Sequence, residues 1–272
     1  MSVVTATIAN QQILALNDAQ ASENRIHSDD IAEKYGFEGA LVSGVNVFGY
    51  LTQPLVKTYG EEILSRGMLD VLFMKPAYQD DLLTLTTEQL KSESSKRNCV
   101  TSASNEKGRI LAKLESWLPL ELPSVNSLAH MTCLEREIER PEISWDRITL
   151  NEPAPAFLWQ PTIEENQEHI KVQRDRSALY QGDNGFIHPY LFLDACNQAL
   201  MRLFVLPAWI HTGSKICLRN PLKIGQSIDM RTMPIHKWEH KGHQFIKLYI
   251  AMWAEGSVAA EIEHTAIFKI AT

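Results

Sequence analysis

The sequence predicts an α+β fold made of one unit used twice, each copy a long buried helix set against an antiparallel sheet. Three observations carry this expectation. Two segments of helical length, VSGVNVFGYLTQPLVKTYG and HPYLFLDACNQALMRLF, are apolar almost all round, the pattern of a helix buried on every side. Each is followed by runs that alternate apolar and polar residues, such as Ser227-Ile228-Asp229-Met230-Arg231, as half-buried strands do. The same order of landmarks then returns about 146 residues later, and a repeat of that kind fixes architecture before any local detail.

The landmarks can be taken in turn. Asp29, Gly36 and Gly39 are echoed by Asp175, Gly182 and Gly185 (175 − 29 = 146), and each set opens a short polar helix. The long helices follow near 43–58 and 189–204. Pro76 and Pro221 lie 145 apart. Gly108 with Gly256, Ala112 with Ala260 and Glu115 with Glu263 complete the series. Strands are expected near 67–75, 82–90, 97–104 and 109–118, then near 213–220, 226–236, 243–254 and 258–269. Asn105-Glu106-Lys107-Gly108, Lys241-Gly242 and Glu255-Gly256 supply the hairpin turns. Residues 119–165, with Pro119, Pro123, Pro141, Pro153, Pro155 and Pro161, are the least periodic part and read as a connection between units. The expected division is 1–122, a linker over 123–155, and 156–272.

Composition narrows the function. The chain has 272 residues, 44% hydrophobic and 22% charged, with a formal charge of −7 and no block of Lys or Arg. Nucleic acid and anionic membranes, which need basic patches, are excluded as main partners. No run of about 18 apolar residues spans a bilayer. The first twenty residues lack the basic and apolar regions of a signal peptide, so a cytoplasmic location is expected. Cys99, Cys133, Cys196 and Cys217 lack metal or disulfide spacing and read as free thiols, Cys196 as a packing residue. The histidine-rich run His236 to His243 straddles the Lys241-Gly242 turn and reads as a hairpin tip, with no metal expected.

One buried helix wrapped by an antiparallel sheet is the hot-dog architecture, and the chain resembles a double hot-dog, two such units fused in imitation of a homodimer. Ser22-Glu23-Asn24-Arg25-Ile26-His27, with Ser43-Gly44 and with Phe73-x-Lys75-Pro76 and Asp81-x-Leu83 downstream, resembles the hydratase-2 (MaoC-like) signature. That family shows Asp-x-Asn-Pro-x-His and a His-Gly pair opening the central helix. Asn24, His27 and Gly44 match it. Ser22, Arg25 and Ser43 replace its aspartate, proline and second histidine. In the second half, His188-Pro189-Tyr190-Leu191-Phe192-Leu193-Asp194 with Gln198 resembles the His-Pro…Asp-x-x-x-Gln segment of polyketide-synthase dehydratases.

The resemblance implies a dehydratase or hydratase of enoyl and 3-hydroxyacyl thioesters, carried on coenzyme A or an acyl carrier protein, with no cofactor. The chemistry needs positioned acid and base groups, because the α-proton is weakly acidic and hydroxide is a poor leaving group. His27 and Asp194 are the expected catalytic pair. The first unit lacks its motif aspartate at Ser22 and the second has Gln173 where His27 would recur, so one group would come from each. Ser22, Asn24, Gly44, His188 and Gln198 are the expected substrate-binding residues, Gly44 offering a backbone amide to the thioester oxygen. A hot-dog thioesterase, in which Asp194 activates water, and a non-catalytic acyl-binding or structural protein are the alternatives. A pseudo-dimer within one chain makes further homodimerisation optional. Phe48, Tyr50, Trp159, Tyr190, Trp209 and Trp253 are aromatic candidates for lining a tunnel.

Overall fold

The computed structural model describes residues 4–20, 22–91, 95–134 and 139–271. The first half runs β1 (Val4–Leu14), a 3-10 turn (Arg25–His27), α1 (Asp29–Lys34), α2 (Gly44–Tyr59), α3 (Glu61–Arg66), β2 (Met68–Phe73), β3 (Leu82–Leu90), β4 (Ser95–Ser104) and β5 (Ile110–Pro119). The second runs β6 (Phe157–Trp159), α4 (Ile163–Gln173), α5 (Pro189–Leu203), β7 (Ile210–Leu218), β8 (Ile228–His240), β9 (His243–Ala254) and β10 (Ser257–Lys269).

The strands form one ten-stranded sheet in the order β1-β3-β4-β5-β2-β7-β10-β9-β8-β6. The order is the same construction read from either end. β1 answers β6, β3 answers β8, β4 answers β9, β5 answers β10, and the two halves join where β2 pairs with β7, from Met68↔Cys217 to Leu72↔Gly213. The expected hairpins close β8 to β9 and β9 to β10, with positive φ at Lys241, Gly242, Glu255 and Gly256. This is the twist that two-residue loops require. Within the first, His236 stacks on Trp238 at 5.1 Å and His243 Nδ1 accepts from the Ala271 amide at 2.9 Å.

The two long helices are capped where the sequence places their starts. Ser43 precedes α2 and its hydroxyl accepts from the Asn46 amide. His188 precedes α5, Nδ1 accepting from the Tyr190 amide, and Pro189 occupies the first helical position, where its missing N–H is not needed. Both helices lie in one hydrophobic core, to which Phe48, Leu51 and Leu55 of α2 and Phe192, Leu193 and Leu200 of α5 belong, and the two helices pack against each other.

β9 is covered on both faces. Ile246, Leu248, Ile250 and Met252 belong to the main core, while Tyr249 and Ala251 on the other face are covered by Ala129 of the connecting segment. That segment is pinned there. Arg219 donates to the carbonyls of Pro123 and Ser124, and Trp253 Nε1 to that of Ala129 at 2.9 Å. It carries 3-10 turns at Ser127–His130 and Trp145–Arg147, and residues 135–138 of its charged stretch lie outside the described residues. No helix among the described residues is long and apolar enough to cross a membrane.

Candidate active site

A cleft of about 310 Å³ opens where the start of α2 meets the start of β7. Both halves build it. The first supplies Asn24, His27 and Gly44, the second Asn197, Trp209 and His211.

His27 ends the 3-10 turn, and its ring is fixed from both sides. Nδ1 lies 2.8 Å from the Leu41 carbonyl. A carbonyl can only accept, so Nδ1 carries the proton and Nε2 presents a lone pair. Burial lowers the pKa of His27; the Leu41 bond and the charge of Asp18 pull the other way. The ring is therefore neutral near pH 7, with a base nitrogen at Nε2.

Asn24 positions that nitrogen. Its Oδ1 accepts from the amides of Trp209 at 3.1 Å and Ile26 at 3.4 Å, which fixes the orientation of the side-chain amide. Nδ2 then donates one hydrogen to the Trp209 carbonyl at 3.0 Å and the other to His27 Nε2 at 3.4 Å. One buried asparagine thus ties the overhang of the first half to the backbone of the second.

Gly44 opens α2, so its amide is one of the first-turn donors that the helix leaves unpaired. A Cβ here would stand 3.3 Å from both His211 Nδ1 and Phe73 Cε2, so a bare backbone is what admits those rings.

The structure brings together only part of the sequence-based set. Asn24, His27 and Gly44 line the cleft; Ser22, His188, Asp194 and Gln198 do not. Ser22 Oγ donates to the Asn24 carbonyl at 3.1 Å and braces its own loop. His188 is fully buried, its Nε2 3.4 Å from Asp175 Oδ2, and burial lowers its pKa against the pull of that carboxylate. The cavity beside Pro189, closed by Leu55, Ile63 and Leu69 of the first half and Phe192 and Leu218 of the second, holds only about 10 Å³. Gln173 is used structurally, donating to Asn46 Oδ1 of α2 at 2.6 Å.

Asp194 lies on another face of α5 from the cleft. It shares a helix face with Tyr190 and Gln198, four residues to either side, and accepts from Gln198 Nε2 at 2.8 Å. That face meets His169 of α4, whose ring stacks on Tyr190 at 4.1 Å. Burial raises the pKa of Asp194, and the Gln198 bond opposes it. α5 presents Asn197 to the cleft instead, with Oδ1 buried and without a hydrogen bond among the described residues. The carboxylate whose charge reaches His27 is that of Asp18, held by the Asn46 amide. Of the aromatic candidates, Trp209 lines the cleft; Phe48, Tyr50, Trp159, Tyr190 and Trp253 do not.

Sequence reasoning also missed His211. It lies in β7 with Ser214, three residues on, and strict alternation would send the two to opposite faces. The strand has a register shift at this point: Gly213 pairs with Thr265 and His211 with Ala266, leaving Thr212 extra. The bulge turns His211 and Ser214 to one side, as bulges next to functional sites do.

Neither a protein-family profile nor a curated protein matches the sequence. Solved structures do match over nearly the whole chain. A Chloroflexus aurantiacus protein assigned as a MaoC domain dehydratase is similar at 10% identity and a TM-score of 0.70, covering 100% of this chain and 95% of its own. A Mycobacterium tuberculosis protein described as having a double hot-dog fold gives 11% and 0.67, covering 98% and 96%. An acyl-ACP thioesterase from Bacteroides thetaiotaomicron gives 11% and 0.50, covering 95% and 97%. At these identities the likeness establishes the fold, a double hot-dog, and leaves the chemistry to the site.

Proposed function

We propose that the chain binds acyl thioesters in the inter-half cleft and adds water to, or removes it from, their enoyl and 3-hydroxyacyl forms. The observation that carries this reading is the geometry of His27: a neutral ring whose Nε2 takes only a long, 3.4 Å hydrogen bond from Asn24, on a cleft that the Gly44 amide also lines. A base nitrogen and a helix N-terminal donor at one cavity suit the removal of a proton α to a carbonyl whose oxygen gains charge. In this reading His27 Nε2 takes the α-proton and hands it on to the departing 3-hydroxyl, which leaves as water, and hydration runs the same steps in reverse. The Asn197 side chain orients the hydroxyl or water, and Asp194 supports α5 from outside the cleft. Lys75, exposed among the lining residues, is placed for the phosphates of a coenzyme A or carrier-protein arm. The likeness to both dehydratases and thioesterases keeps ester hydrolysis as the second reading.

Incubation of the purified chain with crotonyl-CoA and 3-hydroxybutyryl-CoA, and with longer homologues, tests the reading by mass spectrometry. Gain or loss of one water with the thioester intact is the expected outcome. Release of free thiol selects the hydrolase. Binding with no turnover of any substrate selects a non-catalytic acyl-binding role.

A further inference from the structure

Behind Gly44 lies a chain of three buried polar side chains that the signature does not use. His211 Nε2 is 2.9 Å from Ser214 Oγ, and Ser214 Oγ is 3.0 Å from His264 Nδ1. His264 stands directly across from Ser214 in the β7–β10 register, and the two imidazoles lie 4.2 Å apart, tilted by 31°. The three residues are 6%, 3% and 0% exposed. The two outer ring nitrogens, His211 Nδ1 and His264 Nε2, make no hydrogen bond among the described residues. They differ in surroundings, because His211 lines the cleft and its Nδ1 is the atom that a Cβ on Gly44 would meet.

A serine has one proton to give, so it couples the two rings. Either Ser214 donates to His264 and accepts from His211, which puts both ring protons on Nε2. Or it donates to His211 and accepts from His264, which puts both on Nδ1. The first arrangement strands an N–H of His264 in the core with no acceptor. The second leaves a bare lone pair on His264 and puts the His211 N–H, buried at Nδ1, against the cleft wall beside Gly44. Each arrangement thus leaves one buried N–H without a partner among the described residues, and only that of His211 adjoins the cleft, where a bound ligand can accept it, which favours the second. Burial pushes the pKa of His211 down to about 3, against the pull of the Gly213 backbone, and that of His264 well below the usual range, so both rings stay neutral.

We propose that His211 is an oxyanion donor of this cleft: its Nδ1–H, held in that tautomer by Ser214 and His264, joins the Gly44 amide on the carbonyl oxygen of a bound acyl thioester. A neutral imidazole in a dry site can polarise a carbonyl without adding charge or titrating. The bulge at Thr212 is the device that aims it, and Thr212 Oγ1 secures the bulge by donating to the Thr265 carbonyl at 3.2 Å. The assignment rests on the reading of the cleft as a thioester site, and its test separates the two.

The ring tautomers come first, by ¹⁵N NMR of the ligand-free chain labelled at histidine. Both His211 and His264 are expected to carry the proton on Nδ1; protons on both Nε2 atoms overturn the proposal whatever the ligand. Calorimetry with butyryl-CoA and with S-butyl-CoA, the thioether that lacks the carbonyl, comes second. His211→Leu is expected to weaken butyryl-CoA binding about tenfold, the scale of one hydrogen bond to an oxygen, and to leave S-butyl-CoA unchanged. His211→Asn, which keeps an N–H near the same place, is expected to recover part of the loss and serves if the leucine variant does not fold. Equal binding of butyryl-CoA by wild type and a folded His211→Leu overturns the proposal. Failure of wild type to bind either compound overturns the thioester reading instead, and the NMR result then decides the donor on its own.

Discussion

Asp70 and Lys215 face each other at the centre of the sheet, Oδ2 to Nζ 3.4 Å, and each is the repeat counterpart of the other (215 − 70 = 145). The pseudo-two-fold axis of the molecule passes between them. The pair marks the axis without holding it, since both side chains are exposed and a surface ion pair contributes at most about 1 kcal/mol. What holds the halves together is the close approach of β2 to β7. A Cβ on Gly213 would meet the Val71 carbonyl at 2.6 Å. Lys215→Ala is therefore expected to change stability by less than about 1 kcal/mol. Gly213→Ala is expected to cost about 1–3 kcal/mol by forcing the strands apart. Urea denaturation of both variants checks the contrast, and a Lys215→Ala effect as large as that of Gly213→Ala would refute it.

Most of this frame was legible in the sequence because buried helices and hairpin strands leave periodic marks. The long helices begin within a residue or two of their expected starts, and the eight strands of the two hot-dog sheets lie where alternation puts them. β1 left no such mark: it lies at the sheet edge, is exposed along most of its length, and pairs with β3 through two register shifts. Of the cleft lining, only Asn24, His27 and Gly44, which stand in contiguous motifs, were legible. Asp194 and Asn197 differ by less than one helical turn, and the sequence does not say which faces the cleft. His211 was hidden by a bulge, which breaks the period on which strand reading depends.

Asn24 is expected to matter more for stability than any other polar residue of the cleft. Both ends of its side chain bond the Trp209 backbone, so Asn24→Ala leaves a buried N–H and carbonyl unpaired. Each such group costs about 1–3 kcal/mol. Thermal denaturation should show a clear drop, accompanied by lower turnover because His27 loses its neighbour. Asn24→Asp, which keeps the acceptor and loses the donor, should fall between. A wild-type melting temperature for Asn24→Ala would exclude the clamp.

For Asp194 the expected outcome is retention of activity. Asp194→Asn preserves an acceptor for Gln198 Nε2 and removes a carboxyl group whose pKa burial raises. A carboxyl group with a raised folded pKa destabilises the fold above that pKa, so the variant should be as stable as wild type at pH 7, or more so. Turnover within about threefold of wild type is expected, against a loss of about 10²-fold or more for His27→Ala. Loss of activity in a folded Asp194→Asn would return the aspartate to the catalytic pair.

The acid limb of both rate and stability should come from histidines that the fold keeps neutral. Burial lowers the pKa of His27, His188 and His264, and takes His211 to about 3. In the unfolded chain each titrates near 6.5, so below that pH the unfolded state binds more protons than the folded one. Their contribution to stability is therefore complete above pH 6.5 and is lost as pH falls from 6.5 through the folded values. For catalysis the reactive form of His27 has Nε2 unprotonated. kcat/KM should accordingly be flat above pH 6.5 and decline only below it, at the lowered folded pKa of His27. A pH–rate profile set beside urea denaturation at pH 7.5, 6.5 and 5.5 tests both statements. His264→Gln should flatten the stability profile while leaving the acid limb of kcat/KM where it was, because His264 is buried outside the cleft. If the rate instead begins to fall well above pH 6.5, the group that titrates is not a buried neutral histidine, and His27 is not the base.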